Sequence, residues 1–284
     1  MPTRRSSSAR YGSNPDISLL KPITVDLTIF NESFFLTVEK IMVVLAVVVF
    51  AALQYFKAGY GYLRTKGWGP MIDNKLGWVL MEIPVLIVTA IIYIYAQGWN
   101  RLTATILVSF LTVHYIQRSL IYPFMMRGKS KIPISVVLMG AVFNVINAYL
   151  ISGWLFILAP EDRYTLSWLY SPQFIAGALI FIFGMVVNLH SDYIIRHLRK
   201  PGDTRHYIPR GGMFKYVSSA NYYGEITEWF GFAILTWSLP GIIFCMWTFA
   251  NLAPRANSLY EKYTKEFGEE FTSLKRKRLI PFIY

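Results

Sequence analysis

Five long apolar segments dominate the chain and restrict it to a helical membrane protein. They cover residues 35–57, 77–97, 102–126, 132–159 and 172–195. Each is long enough to cross a hydrocarbon core of about 30 Å, which requires about 20 residues of α-helix. A bilayer core holds no water to satisfy backbone N–H and C=O groups, so isolated spanning segments of this length are helical. The hydrophobic fraction of 54% agrees with an integral membrane protein.

A sixth apolar region, residues 213–250, is 38 residues long and has only Lys215, Glu225 and Glu228 as charged residues. It is too long for one span, and its length fits two spans joined by a tight turn near Glu228. The apolar segments alone therefore leave six or seven spans.

The distribution of charged residues decides between six and seven spans. The 28 Lys and Arg residues are concentrated in the loops 58–76, 127–131 and 196–212 and in the tail after residue 251. Loops rich in Lys and Arg stay in the cytosol. We therefore predict an all-α integral membrane protein with seven transmembrane helices, an outside N-terminus and a cytosolic C-terminus. We expect residues 1–34 to form a mobile N-terminal extension and residues 35–284 to form a single membrane domain.

The net charge of +12 follows from this topology and also suits anionic lipid head groups or an anionic ligand. A chain this apolar is not expected to bind nucleic acid. Its one cysteine, Cys245, lies in an apolar run, which argues against a disulfide framework and a thiolate metal site. We predict no metal.

Polar side chains interrupt four of the apolar segments at a similar depth from the predicted cytosolic surface. For a single Asn or Tyr, a hydrogen bond between helices is the more common explanation. Carboxylates inside a membrane are usually functional. Their convergence predicts one cavity that is open to the cytosol. The residues concerned are Glu82, Tyr115, Asn188, Asp192, Asn221 and Glu225.

Common nucleotide-binding and metal-binding motifs are missing from the sequence. Gly59 and Gly61 begin a GxG pattern, but Arg64 stands where the third glycine belongs, and no P-loop or HExxH is found. A dinucleotide would therefore be held by basic residues and helix ends. The loop 199–212, with its two Pro/Gly breaks and several cations, suits an anion site. An ordinary basic cytosolic loop explains it equally well.

Several sequence blocks resemble the steroid 5α-reductase family, the membrane 3-oxo-5α-steroid 4-dehydrogenases, and in particular a bacterial member. The blocks are NLHSDYIIRHLRKPGDTRHYIPRGG (188–212), SSANYYGEITEW (218–229) with the following TWSLP, and the closing KRLIPFIY. The segment HYIQRSLIYPFMMRGK (114–129) matches as well. The resemblance covers about residues 40–284.

The resemblance implies a seven-helix fold that binds NADPH between the helices and the cytosolic loops. It also implies reduction of the 4,5 double bond of a 3-oxo-4-ene steroid, with hydride transfer to C5 and protonation at C4. Glu82 and Tyr115 fall at the family's catalytic positions, where they contact the 3-oxo oxygen. The implied cofactor-binding residues are Arg118, Tyr122, Arg127, Asn188, Asp192, Arg199, Tyr207, Asn221, Glu225, Arg255 and Tyr263.

The implied partners are a lipophilic steroid or steroid-like enone and membrane lipids, without an obligate protein partner. The membrane is the inner membrane for a bacterial protein and the endoplasmic reticulum for a eukaryotic one. Three positions depart from the family pattern and bear on the choice of steroid. Met81 stands where animal members have Gln, Leu259 stands where a cofactor-contacting His is expected, and Tyr207 is one position from the usual tyrosine.

Three other functions fit the sequence less well. A related membrane reductase that acts on another sterol, a polyprenol or an enoyl chain would share the cofactor site. A membrane methyltransferase of the isoprenylcysteine or phospholipid type would carry an Arg-His-Pro-x-Tyr motif in the tail, which this chain lacks. A transporter often shows repeat symmetry, which is not evident in this sequence. The polar residues also lie at one side of the predicted membrane only, which argues against a transporter or a scaffold.

Overall fold

The computed structural model describes residues 27–56, 63, 67–127, 130–199, 203 and 205–284. Residues 1–26 of the predicted extension and the Pro/Gly break at 201–202 lie outside these ranges. Within them the protein is almost entirely helical. The long helices are α1 (Glu32–Tyr55), α2 (Asn74–Tyr95), α3 (Leu102–Met125), α4 (Ile134–Leu158), α5 (Pro172–His197), α6 (Ala220–Thr236) and α7 (Leu239–Phe267), and a short α8 (Glu269–Thr272) follows.

Helices α1 to α5 are long and apolar enough to cross a membrane, which confirms the five predicted spans and the all-α membrane class. Their outer faces carry large exposed apolar side chains, such as Val44, Ile91 and Leu179. Water would disfavour such faces, whereas lipid tails solvate them.

The predicted turn near Glu228 is wrong, because this residue lies within α6. The two helices meet instead at Trp237, which adopts a left-handed conformation with φ of 45°. Ser238 then caps α7 by accepting a hydrogen bond from the backbone N–H of Gly241 at 3.2 Å, and Pro240 lies in the first turn. A serine cap and an early proline are the features that start a helix, so the break falls where they occur.

Helices α5 and α6 pack antiparallel with their backbones in contact. A Cβ atom added to Gly184 on α5 would lie 2.3 Å from the backbone nitrogen of Glu228. A Cβ atom added to Gly224 on α6 would lie 2.4 Å from the backbone nitrogen of Asn188. Gly177 and Gly231 repeat this arrangement seven residues away on each helix. Glycine is therefore required at these positions by the close approach of the two helices.

A two-stranded antiparallel ribbon fixes α2 against α4. Strand β1 (Met71–Asp73) precedes α2 directly, and strand β2 (Lys131–Pro133) precedes α4 directly. The Asp73 carboxylate accepts hydrogen bonds from the backbone N–H groups of Lys75 and Leu76 and so starts α2. Because both helices begin at the ribbon, residues that are equally far along them lie at the same depth.

Helix α3 contains one π-helical turn, Gln117–Ile121, just before Pro123. Proline has no backbone N–H, so the regular i to i−4 bond is missing there, and a local change of pitch accommodates this. The turn carries Arg118, which is thereby placed one turn beyond Tyr115 on the inner side of the helix.

Candidate functional site

A buried amide joins the two predicted catalytic residues. The Tyr115 hydroxyl donates a hydrogen bond to Oδ1 of Asn144 at 3.0 Å. Nδ2 of Asn144 donates to Oε2 of Glu82 at 3.1 Å and to the backbone oxygen of Met81 at 2.7 Å. We refer to Glu82, Tyr115 and Asn144 as the carbonyl cluster. Two acidic or hydroxylic groups held this close together are suited to polarise one carbonyl oxygen.

The guanidinium group of Arg118 lies beside this cluster, among aromatic rings. Its Nη1 donates to Oδ2 of Asp192 at 3.1 Å, and both side chains are buried. The rings of Trp78 and Tyr122 lie 4.7 and 4.5 Å from Cζ of Arg118. We refer to these four residues as the arginine cluster. The ion pair fixes α3 against α5, and the charge of Glu225 on α6 acts on both of its members.

Asn188 and Asn221 meet across the glycine contact between α5 and α6. Nδ2 of Asn188 donates to the backbone oxygen of Asn221 at 3.0 Å, at the first turn of α6. The neighbouring hydroxyl of Ser219 is buried and has no hydrogen-bond partner among the described residues. A helix N-terminus with an unpaired hydroxyl suits a polar or anionic group of a ligand.

The C-terminal segment closes this end of the molecule. Lys277 forms a parallel bridge with Val217, and the Arg276 guanidinium donates to the backbone oxygen of Pro209 at 2.7 Å. Nε of Arg255 donates to the Tyr222 hydroxyl at 2.6 Å. Residues just before α6 are therefore held by the last nine residues of the chain.

Tyr263, on the last turns of α7, packs against the rings of Phe267 and Phe271. Burial raises the pKa of Tyr263 to about 12, so its hydroxyl stays protonated at neutral pH. The charge of Arg199 lies close enough to act on it. Tyr263 therefore lies near Tyr222 and Arg199.

Two predicted residues stand apart from these clusters. Arg127 is exposed at the end of α3, and none of the contacts above includes it. The Tyr207 hydroxyl donates to Oδ2 of Asp203 at 2.5 Å, and Arg205 lies over its ring. Hydrogen bonds from Arg205 and Tyr207 hold the pKa of Asp203 well below its usual range. Tyr207 is therefore engaged within its own loop.

The sequence analysis missed Asn144, Trp78 and the partner of Glu228. Asn144 is a lone amide in an apolar helix, which is typical of an ordinary contact between helices. Glu228 was predicted to lie at a turn, but its Oε1 lies 2.8 Å from Nδ1 of His114, and both side chains are buried. His114 precedes Tyr115, so proximity to a predicted catalytic residue was the available signal.

An apolar groove of about 860 Å³ lies elsewhere, between α1, α6 and α7. Its walls include Ala46, Phe50, Phe230, Trp237, Ile242 and Met246. None of the predicted site residues lines it. The groove has almost no polar wall atoms, and Phe230 and Trp237 at its edge are exposed.

A family model described as 3-oxo-5-alpha-steroid 4-dehydrogenase matches residues 130–284. The protein named 3-oxo-5-alpha-steroid 4-dehydrogenase 1 from Homo sapiens is 40% identical over 240 residues, which cover 83% of this chain and 90% of that protein. The protein of the same name from Bos taurus is 37% identical over 243 residues, or 84% and 93% of the two chains. Steroid 5-alpha-reductase DET2 from Gossypium hirsutum is 38% identical over 245 residues, or 85% and 94%.

Proposed function

Because the chain belongs to the 3-oxo-5-alpha-steroid 4-dehydrogenase family and is therefore an oxidoreductase, we propose that it reduces the 4,5 double bond of 3-oxo-4-ene steroids with NADPH. The observation that carries the proposal is the carbonyl cluster. Glu82 and Tyr115 come from different helices, and one amide holds both of them among apolar neighbours. An origin in a bacterium stays a prediction.

Reduction of an enone requires a hydride at C5, a proton at C4 and stabilisation of the oxygen at C3. In our proposal Glu82 and Tyr115 donate hydrogen bonds to that oxygen. Negative charge develops on it during the reaction, and donors that are already in place stabilise this charge more than they stabilise the neutral ketone. NADPH, when bound, supplies the hydride. A proton added at C4 completes the balance, so an enone, NADPH and H⁺ give a saturated ketone and NADP⁺.

The residues of the neighbouring clusters fit a dinucleotide. Arg118, Arg199 and Arg255 provide guanidinium groups, which bind phosphate in a bidentate manner. The first turn of α6 offers backbone N–H groups, and the buried hydroxyl of Ser219 has no partner among the described residues. Beside Ser219, Nδ2 of Asn188 donates to the backbone oxygen of Asn221 at 3.0 Å. We assign these residues, with Asp192, Glu225 and Tyr263, to cofactor binding.

The seven-span topology belongs to the same proposal. Helix α6 has 17 residues, and it packs along α5 from Gly177 to Asn188, so the two share a depth. Helix α7 has 29 residues and becomes charged only after Pro254. Two further spans with a cytosolic C-terminus would place the carbonyl cluster, the arginine cluster and the contact between Asn188 and Asn221 near the cytosolic face. The resulting arrangement is a multi-pass membrane protein whose first span is α1, which begins at Glu32, three residues before the boundary expected from the sequence.

Turnover by detergent-purified protein tests the proposal. We expect NADPH-dependent conversion of testosterone or progesterone to the 5α-dihydro product, identified by chromatography and mass spectrometry. Glu82→Gln and Tyr115→Phe should each lower kcat to a small residual value, by on the order of 10²–10⁴-fold, and leave NADPH binding within about twofold. Val186→Ala, on the exposed face of α5, is the matched control.

The possible outcomes separate the parts of the proposal. NADPH binding without product would refute the steroid assignment and direct the search to another lipophilic enone. Absence of NADPH binding would overturn the cofactor assignment. Unchanged turnover in both variants would remove Glu82 and Tyr115 from the reaction.

A further inference from the structure

We propose that Asn144 is a positioning residue that decides which oxygen of Glu82 and which direction of the Tyr115 hydroxyl face the substrate. This inference deepens the proposed function and depends on it for its role in catalysis. It starts from the hydrogen bonds of Asn144 alone. Its side chain is buried at 4% exposure, and both ends of its amide are engaged.

The orientation of the amide follows from its neighbours. The backbone oxygen of Met81, 2.7 Å away, is only an acceptor, so the NH₂ group must face it. The opposite atom, Oδ1, is then the one that faces Tyr115, and the hydroxyl must donate to it. Reversal of the amide would bring two acceptors together at Met81. The backbone of α2 thus determines how Asn144 meets the reacting groups.

The consequence for Glu82 is a distinction between its two oxygens. Oε2 accepts from Nδ2 of Asn144 at 3.1 Å and so acts as the carbonyl oxygen of a neutral acid. The acidic proton is then carried by the other oxygen, Oε1. A protonated carboxyl in an apolar site can donate to a ketone, and here the donor atom is specified before the substrate arrives.

The consequence for Tyr115 is a resting position for its proton. Without substrate, the hydroxyl donates to Oδ1 of Asn144 at 3.0 Å. A ketone that accepts from Tyr115 must replace this amide oxygen as the acceptor, so the hydroxyl proton has one defined partner before the substrate arrives. Asn144 itself does not need to touch the substrate. One side chain on α4 therefore aligns donors that come from α2 and α3.

Two variants separate positioning from simple filling of space. Asn144→Asp keeps the shape of the side chain and replaces the NH₂ group by an oxygen that faces Met81 and Glu82. Asn144→Leu removes both hydrogen-bonding ends. Misplacement of reacting groups by about 1 Å costs on the order of 10²-fold in rate. We expect both variants to lower kcat by on the order of 10²-fold and to change the KM for NADPH by less than about threefold. Val142→Ala, on the exposed face of α4, is the control.

Double mutants provide the decisive comparison. If Asn144 acts partly through Tyr115, adding Asn144→Leu to Tyr115→Phe should lower the residual kcat by a clearly smaller factor than Asn144→Leu lowers the kcat of the wild type. Effects that multiply would overturn the proposal, as would an Asn144→Asp variant with wild-type kcat. Such an Asp variant would show that only the shape of the residue matters.

A measurement without turnover distinguishes failure of this inference from failure of the proposed function. The same double mutant should lower the Tm of the unliganded protein by less than the sum of the two single decreases, because both singles break one contact. Additive Tm changes would overturn the hydrogen-bonded cluster. Coupled Tm changes in a protein that reduces no steroid would refute the proposed function and retain the cluster.

Discussion

Substitution of Gly184 by Ala should separate α5 from α6 and weaken the cofactor site without touching it. The added Cβ would lie 2.3 Å from the backbone nitrogen of Glu228 and 2.7 Å from its Cα. Ordinary van der Waals contact begins at 3.4 Å. The two backbones must therefore move apart by about 1 Å, since neither atom can rotate away as a side chain does.

The expected size of the effect follows from this geometry. Overpacking of a tight interior typically costs about 1–3 kcal/mol, and the rigid neighbours place Gly184→Ala near about 3 kcal/mol. One kcal/mol lowers Tm by about 2–4 °C in a chain of 150–250 residues, so we expect a decrease of about 6–12 °C. The bond from Asn188 to the backbone oxygen of Asn221, now 3.0 Å, lies four residues along α5 and should lengthen. The KM for NADPH should rise in consequence.

Thermal unfolding in detergent and NADPH-dependent turnover measure the two effects. Val186→Ala changes the same helix two residues away, on a face that is 58% exposed, and should alter neither quantity. A Gly184→Ala protein with a Tm within about 2 °C of the wild type would refute the backbone contact. A lower Tm with an unchanged KM would show that the contact supports the fold and not the cofactor site.

Two further predictions concern groups outside the clusters. Glu228→Leu should lower the free energy of unfolding by roughly 3–5 kcal/mol, the loss expected when one partner of a buried pair is removed, and thermal unfolding should show a lower Tm. His114→Leu/Glu228→Leu should recover much of this stability. Equal losses in the single and double variants would show that the pair is not coupled. Truncation after Arg276 removes the bridge between Lys277 and Val217 and should raise the KM for NADPH, measured against the full chain, with little change in kcat. An unaltered KM would mean that the tail does not support the start of α6.

The sequence predicted the five long spans because hydropathy reports directly on length and lipid exposure. It misplaced the break between α6 and α7, because composition across 213–250 is uniformly apolar and the turn depends on local caps. Trp237 in a left-handed conformation is not a residue that sequence rules assign to such a position. Ser238 and Pro240 were the readable signal, and they stand ten and twelve residues after Glu228.

The pairing of helices was not readable in the same way. Periodicity places Asn188 and Asp192 on one face of α5 and Asn221 and Glu225 on one face of α6, but it does not say that these faces meet. Whether these faces come into contact depends on glycines on both helices, because the two backbones can approach only where glycines of α5 and α6 face each other. Asn144 was missed for a related reason. Its importance comes from its three partners, and none of them is near it in the sequence.

Helix α3 explains why the two halves of the proposed reaction are adjacent. Tyr115 and Arg118 are three residues apart, which corresponds to a rise of about 4.5 Å along a helix. Tyr115 belongs to the carbonyl cluster and Arg118 to the arginine cluster, so one helical turn separates the proposed carbonyl donor from the proposed cofactor-binding residues. The π-helical turn begins between them, and the ion pair with Asp192 fixes its inner face. In a 3-oxo-4-ene steroid the ketone carbon and C5 flank C4 within one ring. A site that reduces such a ring needs its oxygen donors and its hydride source close together, and in the proposed site a single turn of α3 would provide that spacing.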